Sequence, residues 1–378
     1  MFVCCLSPWN PRTPPPLEAV RFIVAAAAGI PVLPRPLWAK LVSMTLATAD
    51  SVLSLQDQRL IAVLQHDARL TAEKAGAVLD LSPSTVRRRW QTMTAQGVLR
   101  VVVSPIARPR QGSLTGAQLL HIRVRPDKVD AVARSLAARD DVPFADITTS
   151  GDEIVAIAAT EPGSRDPLVF HQLPATPAIT SVETASVLHV LRVTSEWRHR
   201  VLEPDEISAL TPDDQPRRAP DADKPYGVET DDQERAIIEA LVPDARLPAA
   251  AVAARTGLPE STVRRRITRL TDEGRLITQV LVDPRHLGLQ IDAMLKLRIG
   301  PDHLDRTARV LAEHPAVHGA FATSGPTNLS LHLWLADQPA LYRFLSQDVA
   351  GLGIASVETT IISHAVKRPW PPRPRQPW

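Results

Sequence analysis

The sequence predicts an α+β protein in which one unit, three helices followed by a βαββαβ segment, occurs twice along the chain. The first observation is a repeated hexapeptide, because Ser84-Thr85-Val86-Arg87-Arg88-Arg89 returns 177 residues later as Ser261-Thr262-Val263-Arg264-Arg265-Arg266. The same offset relates Asp67-Ala68-Arg69-Leu70 to Asp244-Ala245-Arg246-Leu247. After each set of helices the hydrophobic period also changes from helical spacing to alternation. A repeat of this length indicates a duplicated pair of domains rather than a solenoid.

The bulk composition bounds the function without identifying it. The 378 residues are enough for about two to four domains. The formal net charge of +2 and pI near 8.7 are too mild to indicate nucleic-acid binding, so any such feature must be local. Cys4 and Cys5 are the only cysteines and lie outside the repeat. They support neither a disulfide framework nor a zinc site, which favours a reducing cytoplasm.

Three segments fall outside the predicted domains. Residues 1–50 contain the apolar run Phe22–Ile30, which has the length of a signal-peptide core but is too short to span a bilayer. Prolines flank this run, so we expect a poorly ordered extension and no membrane association. Residues 196–228 combine prolines with aspartate and arginine and are predicted to form a flexible linker. The tail 368–378 is predicted to be disordered.

The first unit begins with three predicted helices in residues 51–103. From Leu55 onward, apolar residues follow the i, i+3, i+4 spacing of a buried helical stripe. A second helix is predicted from Thr71 to Leu79. Ser82 and Pro83 open the third, since a hydroxyl caps free N–H groups and proline suits the first helical position. A tight turn before the third helix is typical of a helix-turn-helix DNA-binding domain.

Residues 115–195 are predicted to form a ferredoxin-like βαββαβ domain. The strands are expected at Gln118–Val124, Val142–Thr149, Glu153–Ala159 and Ile179–Val193, with helices at Pro126–Arg139 and around Leu168–Leu173. The second copy repeats this order, with a helix-turn-helix domain in residues 229–283 and a βαββαβ domain in residues 289–367.

The third helix of each copy carries the candidate DNA-binding residues. Advancing 100° per residue places Val86, Trp90 and Met93 inward, and in the second copy Val263, Ile267 and Leu270. Arginine can bridge guanine O6 and N7, and short hydroxyls at a helix start can meet phosphates or base edges. The predicted DNA-binding set is Ser84, Thr85, Arg87, Arg88, Arg89 and Gln91, with Ser261, Thr262, Arg264, Arg265, Arg266 and Thr268 in the second copy.

The alternative for these arginines is an ordinary solvated helix face. The triplet recurs on the equivalent helix, and we expect it to have no internal acidic partner. Both features favour DNA contact over simple solvation. Of the outward residues, Arg88 and Arg265 lie most directly opposite the buried stripe.

This arrangement resembles the Lrp/AsnC family of transcriptional regulators. The segments LSPSTVRRRWQTMTAQGVL (81–99) and GLPESTVRRRITRLTDEGRL (257–276) are similar to the family's recognition helix, and residues 53–70 to its first helix. The resemblance covers roughly residues 53–193 and 229–367. It implies sequence-specific binding of double-stranded DNA, self-association through the βαββαβ domains, and a small effector such as an amino acid.

The effector loops depart from the family pattern, in which a glycine is followed shortly by an acidic residue before a strand. Aligned on Gly151, that acidic position is Ile154, although Asp152 and Glu153 lie nearby; aligned on Gly325, it is Asn328. We therefore expect no amino-acid ligand, or binding at the first copy alone. The candidate effector-binding residues are Gly151, Asp152, Glu153, Gly325 and Asn328. The alternative is that both glycines serve plain hairpin turns.

No catalytic residue, cofactor or metal site is predicted. The sequence contains no P-loop, dinucleotide fingerprint or convincing Ser-His-Asp set, and no histidine pair has metal-ligand spacing on a clear helix face. An alternative is a tetrapyrrole enzyme of the sirohaem decarboxylase kind, whose helix-turn-helix units have lost their DNA-facing charge. A protein–protein adaptor is a third reading. The two arginine triplets favour the regulator.

Overall fold

The structure, a computed structural model, describes residues 52–103, 117–139, 141–159, 168–210, 231–273 and 275–368. The predicted extension 1–50 with its two cysteines, most of the predicted tail, and residues 211–228 of the predicted linker lie outside the described residues. None of the described helices has the length and hydropathy that crossing a bilayer requires.

The first copy has the predicted order of elements. Its helix-turn-helix comprises α1 (Leu55–His66), α2 (Ala72–Leu79) and α3 (Pro83–Ala95), followed by β1 (Leu99–Val103). Its βαββαβ unit comprises β2 (Gln118–Val124), α4 (Val129–Ala137), β3 (Phe144–Thr148), β4 (Glu153–Ala158), a short helical turn (Leu168–Gln172) and β5 (Ile179–Arg192). A further helix, α5 (Pro204–Leu210), precedes the second copy.

The second copy repeats the arrangement. Helices α6 (Asp232–Leu241), α7 (Ala249–Thr256) and α8 (Glu260–Asp272) lead into β6 (Thr278–Val282). The second βαββαβ unit comprises β7 (Ile291–Ile299), α9 (Pro301–Ala312), β8 (Val317–Thr323), β9 (Leu329–Leu335), α10 (Gln338–Arg343) and β10 (Ile354–Lys367). The predicted α+β fold with two helix-turn-helix and two ferredoxin-like units is confirmed.

The start of α3 follows the sequence prediction in detail. The Ser82 hydroxyl accepts a hydrogen bond from the Thr85 backbone N–H at 3.2 Å, and Pro83 is the first helical residue. Beyond the helix, Gly97 adopts a φ of +71°, a conformation that glycine tolerates at low cost. These local signals fix where α3 begins and ends.

The two βαββαβ units close into one eight-stranded barrel with the order β10-β3-β4-β2-β5-β8-β9-β7. The last strand of each unit pairs with a strand of the other, with Val187 opposite Thr323 and Ile362 opposite Thr148. Both residues of the first pair lie 175 positions from their counterparts in the second, so the junctions are equivalent. One chain therefore forms a pseudo-two-fold dimer of its own halves, as the duplication predicts.

The helix-turn-helix units are joined by the antiparallel pair β1–β6, in which Val102 faces Gln279. These two residues differ by the repeat offset of 177, so the pseudo-two-fold axis passes between them. The units also share one hydrophobic core, to which α1 contributes fully buried Leu60 and Leu64 and α6 contributes Ile237 and Leu241. This shared core joins the two helix-turn-helix units into one packed body.

The structure differs from the predicted linker over residues 196–210. Trp197 is 4 % exposed, packs edge-on against Trp334, and donates its indole N–H to the Pro315 carbonyl at 2.8 Å. Glu206 of α5 forms an ion pair with Arg59 of α1. The prolines and charged residues of this segment indicated a solvated coil. Burial of the large Trp197 side chain stabilises an ordered structure despite that composition.

The structure also differs from the predicted disordered tail, 368–378, at the first residue of that segment. Arg368 is buried and donates hydrogen bonds to Asp146 of β3 and Asp292 of β7. Asp146 is fully buried, and this burial raises its pKa to about 7 against the opposing effect of the Arg368 guanidinium. Arg368 thus links the end of the second half to the sheet of the first.

Candidate nucleic-acid interface

Helices α3 and α8 present the predicted faces. Val86 and Met93 are buried under α3, with Trp90 partly buried beside them, and Val263, Ile267 and Leu270 are buried under α8. The opposite rows are exposed, namely Ser84, Arg88 and Gln91 on α3 and Ser261, Arg265 and Thr268 on α8. The predicted orientation of both helices is confirmed.

Arg88 and Arg265 occupy the centres of these exposed rows. Within the part of the chain that the structure describes, neither guanidinium makes a hydrogen bond or an ion pair. Each therefore presents five uncommitted N–H donors in the planar fork that matches guanine edges and phosphates. These two arginines have the freest donors of the two triplets.

The expectation that the triplets have no acidic partner was wrong. Arg89 Nη1 lies 2.8 Å from Asp57 Oδ1, and Arg266 Nη1 lies 2.5 Å from Asp231 Oδ2. Both acids sit at the start of the first helix of their unit, distant in sequence from the triplet. These contacts tie α3 to α1 and α8 to the start of α6.

The outer arginines are paired more loosely. Arg87 contacts Glu73 of α2, and Arg264 contacts Glu260 of its own helix at 2.5 Å. All four side chains are at least 45 % exposed, so water and salt screen both pairs. The i, i+4 spacing of Glu260 and Arg264 was visible in the sequence, whereas Glu73 is brought near only by the fold.

The second copy carries a denser network than the first. Glu234, which is 3 % exposed, accepts hydrogen bonds from Arg269 and from Arg275 at 2.6 Å. Although burial acts to raise it, these hydrogen bonds hold the pKa of Glu234 below its usual value. The first copy has Asp57 at the equivalent position but Thr92 and Val98 in place of the two arginines. The two units are therefore not electrostatically identical.

The repeated segments Asp67–Leu70 and Asp244–Leu247 form a reciprocal contact between the two helix-turn-helix units, which we call the arginine clasp. Arg246 donates to the Ala68 carbonyl at 2.6 Å and the Leu70 carbonyl at 3.1 Å, while Arg69 donates to the Ala245 carbonyl. The Arg246 guanidinium also lies 3.5 Å from the ring centre of Trp90 on α3. Burial lowers the pKa of Arg246 to about 10. Through Arg246, the clasp couples the second unit to α3 of the first.

The predicted effector loops are hairpin turns. Gly151 and Gly325 have φ values of +74° and +104°, consistent with a turn role for glycine. In the first loop, Glu153 Oε1 lies 2.9 Å from His121 Nδ1, and this hydrogen bond lowers the pKa of Glu153. Asp152 Oδ2 lies 3.4 Å from Arg123 Nη1, and the Asp152 side chain is 37 % exposed. The first loop therefore presents the Asp152 carboxylate beside a guanidinium, while the Glu153 carboxylate lies mostly buried against His121.

The second loop is committed to the fold. The Asn328 amide accepts from the Ile299 N–H at 2.9 Å and donates to the Ile299 carbonyl at 2.8 Å. This side chain joins β9 to the end of β7 and has little remaining hydrogen-bonding capacity for a ligand. Among the described residues, no group of three or more His, Cys, Asp or Glu is arranged to hold a metal ion.

Comparison with known proteins identifies the parts of the chain. Residues 53–94 and 231–271 match the AsnC-type helix-turn-helix domain, and residues 292–371 match the Lrp/AsnC ligand binding domain. An uncharacterized HTH-type transcriptional regulator of Pyrococcus horikoshii is 31 % identical over 142 residues, which is 37 % of this chain and 90 % of that protein. The HTH-type transcriptional regulator LrpA1 of Halobacterium salinarum is 28 % identical over 140 residues, or 36 % of this chain and 99 % of that protein.

Among solved structures, the siroheme decarboxylase NirDL aligns with a TM-score of 0.52 and 12 % identity. The alignment covers 83 % of this chain and 92 % of that protein. At this identity the likeness concerns the fold alone, and it extends over both halves of the chain.

Proposed function

Because the chain belongs to the Lrp/AsnC family of transcriptional regulators, we propose that it acts as a covalent pseudo-dimer that sets α3 and α8 in two major grooves of one double-stranded DNA. The observation that carries this proposal is the recurrence of Arg88 and Arg265, exposed and without a partner among the described residues, at the centre of equivalent helix faces. The shared core and the arginine clasp support simultaneous engagement, since they hold the two helices in one body.

The residues divide into three roles. Arg88 and Arg265, with Ser84, Gln91, Ser261 and Thr268 in the same rows, read base edges. Arg87 and Arg264 exchange their exposed carboxylate partners for phosphates, and Thr85 and Thr262 lie at the helix starts where phosphates approach. Arg89 and Arg266 hold the helices at the correct angle.

A direct test uses genomic fragments that co-purify with the protein. Binding is measured by fluorescence anisotropy for the wild type and for the double variant Arg88→Ala/Arg265→Ala. The control is Arg134→Ala/Arg306→Ala, which removes the same charge from exposed positions on α4 and α9. We expect specific binding to be lost in the first variant and retained in the control. Equal affinity of both variants would refute the assignment.

We propose further that a small effector, where one acts, binds near the first hairpin, because Asp152 and Glu153 keep carboxylates there and Asn328 does not. We also propose that chains associate with one another through their βαββαβ units and that the protein works in the cytoplasm. The domain limits proposed are 51–103, 115–195, 229–283 and 289–367.

We propose that the chain is not an enzyme. The alternative is a tetrapyrrole-binding decarboxylase, suggested by the fold of NirDL over both halves. The uncommitted arginines on both recognition helices favour DNA. The visible absorption spectrum of the purified protein separates the two, since a bound tetrapyrrole gives strong bands and a DNA-binding regulator gives none.

A further inference from the structure

The two recognition helices are related by a pseudo-two-fold axis that passes between Val102 and Gln279. If their reading faces were identical, one chain would read the same half-site twice in inverted orientation, and its target would be a palindrome. Because both helices belong to one chain, every protein–DNA complex contains one copy of each face. Any difference between the two faces is therefore present in every complex.

The reading rows share two residues and differ at the third. Ser84 and Arg88 have the counterparts Ser261 and Arg265, but Gln91 has the counterpart Thr268, and all lie on exposed faces. A glutamine amide can form a bidentate contact with adenine N6 and N7. Threonine is shorter and offers a single hydroxyl and a methyl group, which suits the methyl of thymine.

The helix starts also differ. Pro83 is the first residue of α3, whereas Glu260 is the first residue of α8 and pairs with Arg264 at 2.5 Å. The α3 helix carries no acidic residue, while α8 also contains Asp272. The first unit holds its carboxylate on α2 instead, where Glu73 pairs with Arg87, so the starts of α3 and α8 differ in their surroundings.

We propose that the DNA target is non-palindromic: two inverted half-sites that share a guanine read by Arg88 and Arg265 but differ at the base pair facing Gln91 or Thr268. Adenine is required opposite Gln91 and is not required opposite Thr268. This inference rests on the proposed DNA-binding function.

The test is selection of binding sites from a random-sequence duplex library, with three proteins in parallel. Gln91→Thr makes the two reading rows alike, and Gln96→Thr makes the same exchange just beyond the end of α3, away from the reading row. For the wild type and Gln96→Thr we expect one asymmetric motif. For Gln91→Thr we expect a motif closer to a palindrome, with the preference for adenine at that position reduced roughly 5- to 150-fold.

The possible failures are distinct. A palindromic motif selected by the wild type would overturn this inference while leaving DNA binding intact. An asymmetric motif that Gln91→Thr leaves unchanged would overturn the role of Gln91. If no sequence is enriched and no duplex is retained, the proposed function itself fails and the inference fails with it.

Discussion

Replacing Arg246 with alanine should loosen the contact between the two helix-turn-helix units. Arg246 donates to two carbonyls of the first copy, at 2.6 Å and 3.1 Å, and stacks on Trp90 at 3.5 Å. Its counterpart Arg69 makes one such contact, to the Ala245 carbonyl. The position equivalent to Trp90 is Ile267, so Arg69 has no aromatic ring to cover. The two halves of the clasp are therefore unequal.

The expected loss follows from these contacts. A hydrogen bond from a charged donor contributes about 1.5–3 kcal/mol, and a partly desolvated cation–π contact contributes about 0.5–2 kcal/mol. Because the contributions share one side chain and water can partly replace them, the sum is an upper limit. We expect Arg246→Ala to lower the free energy of unfolding by about 2–4 kcal/mol, and Arg69→Ala by about 1–2 kcal/mol.

Guanidinium chloride unfolding of the wild type and both variants measures these losses. Arg88→Ala is the control, because it removes an exposed arginine without a partner among the described residues and should change stability by less than about 0.5 kcal/mol. The second measurement is affinity for duplexes with one or two half-sites. Arg246→Ala should weaken binding to two half-sites more than to one. The role of the clasp would be refuted if Arg246→Ala changed the free energy of unfolding no more than Arg88→Ala does and left the affinity for both duplexes unaltered.

Three further predictions follow from the same description. The slope of log K against log salt for the specific DNA should be steeper than about −3, since each neutralised phosphate contributes about −0.9; a nearly flat dependence would favour an enzyme or adaptor. His332 is buried against Phe144 and Phe321, and burial lowers its pKa to about 3. As the pH falls below about 6.5, this histidine is therefore protonated in the unfolded chain but stays neutral in the folded protein, so acid favours unfolding. Between pH 7.5 and 5.5, the free energy of unfolding of the wild type should fall by about 1.4 kcal/mol more than that of His332→Leu. Equal pH dependence of the two proteins in urea unfolding would contradict this. An amino acid that stabilises the protein in a thermal-shift screen should lose its effect in Asp152→Ala/Glu153→Ala; loss in Asn328→Ala alone would mean that the second copy is the binding copy.

The fold was predictable because its determinants are local or repeated. The cap at Ser82, the proline at the start of α3 and the buried stripe of Val86 and Met93 all lie within a few residues of one another. The 177-residue repeat then predicts the pairing of the halves without any knowledge of individual contacts. Alternation within each strand predicted which elements form the sheets.

What the sequence did not reveal depends on contacts between distant segments. Asp57 and Asp231 meet the arginine triplets only after the helices pack. Trp197 and Arg368 lie in segments whose composition indicated a linker and a tail, yet Trp197 packs against buried Trp334 and Arg368 donates to buried Asp146. The clasp had a visible signal, since Asp67–Leu70 is repeated outside the recognition helix, but sequence alone could not show what Arg69 and Arg246 touch.

The most direct test of the central claim, that one chain places two recognition helices on one DNA, is a hydroxyl-radical footprint on the selected operator. We predict two protected segments with centres about one helical turn, roughly 10 base pairs, apart on the same face of the duplex. Arg88→Ala should remove protection from one segment and Arg265→Ala from the other. A single protected segment in the wild type, or two segments that both persist in each variant, would contradict the account.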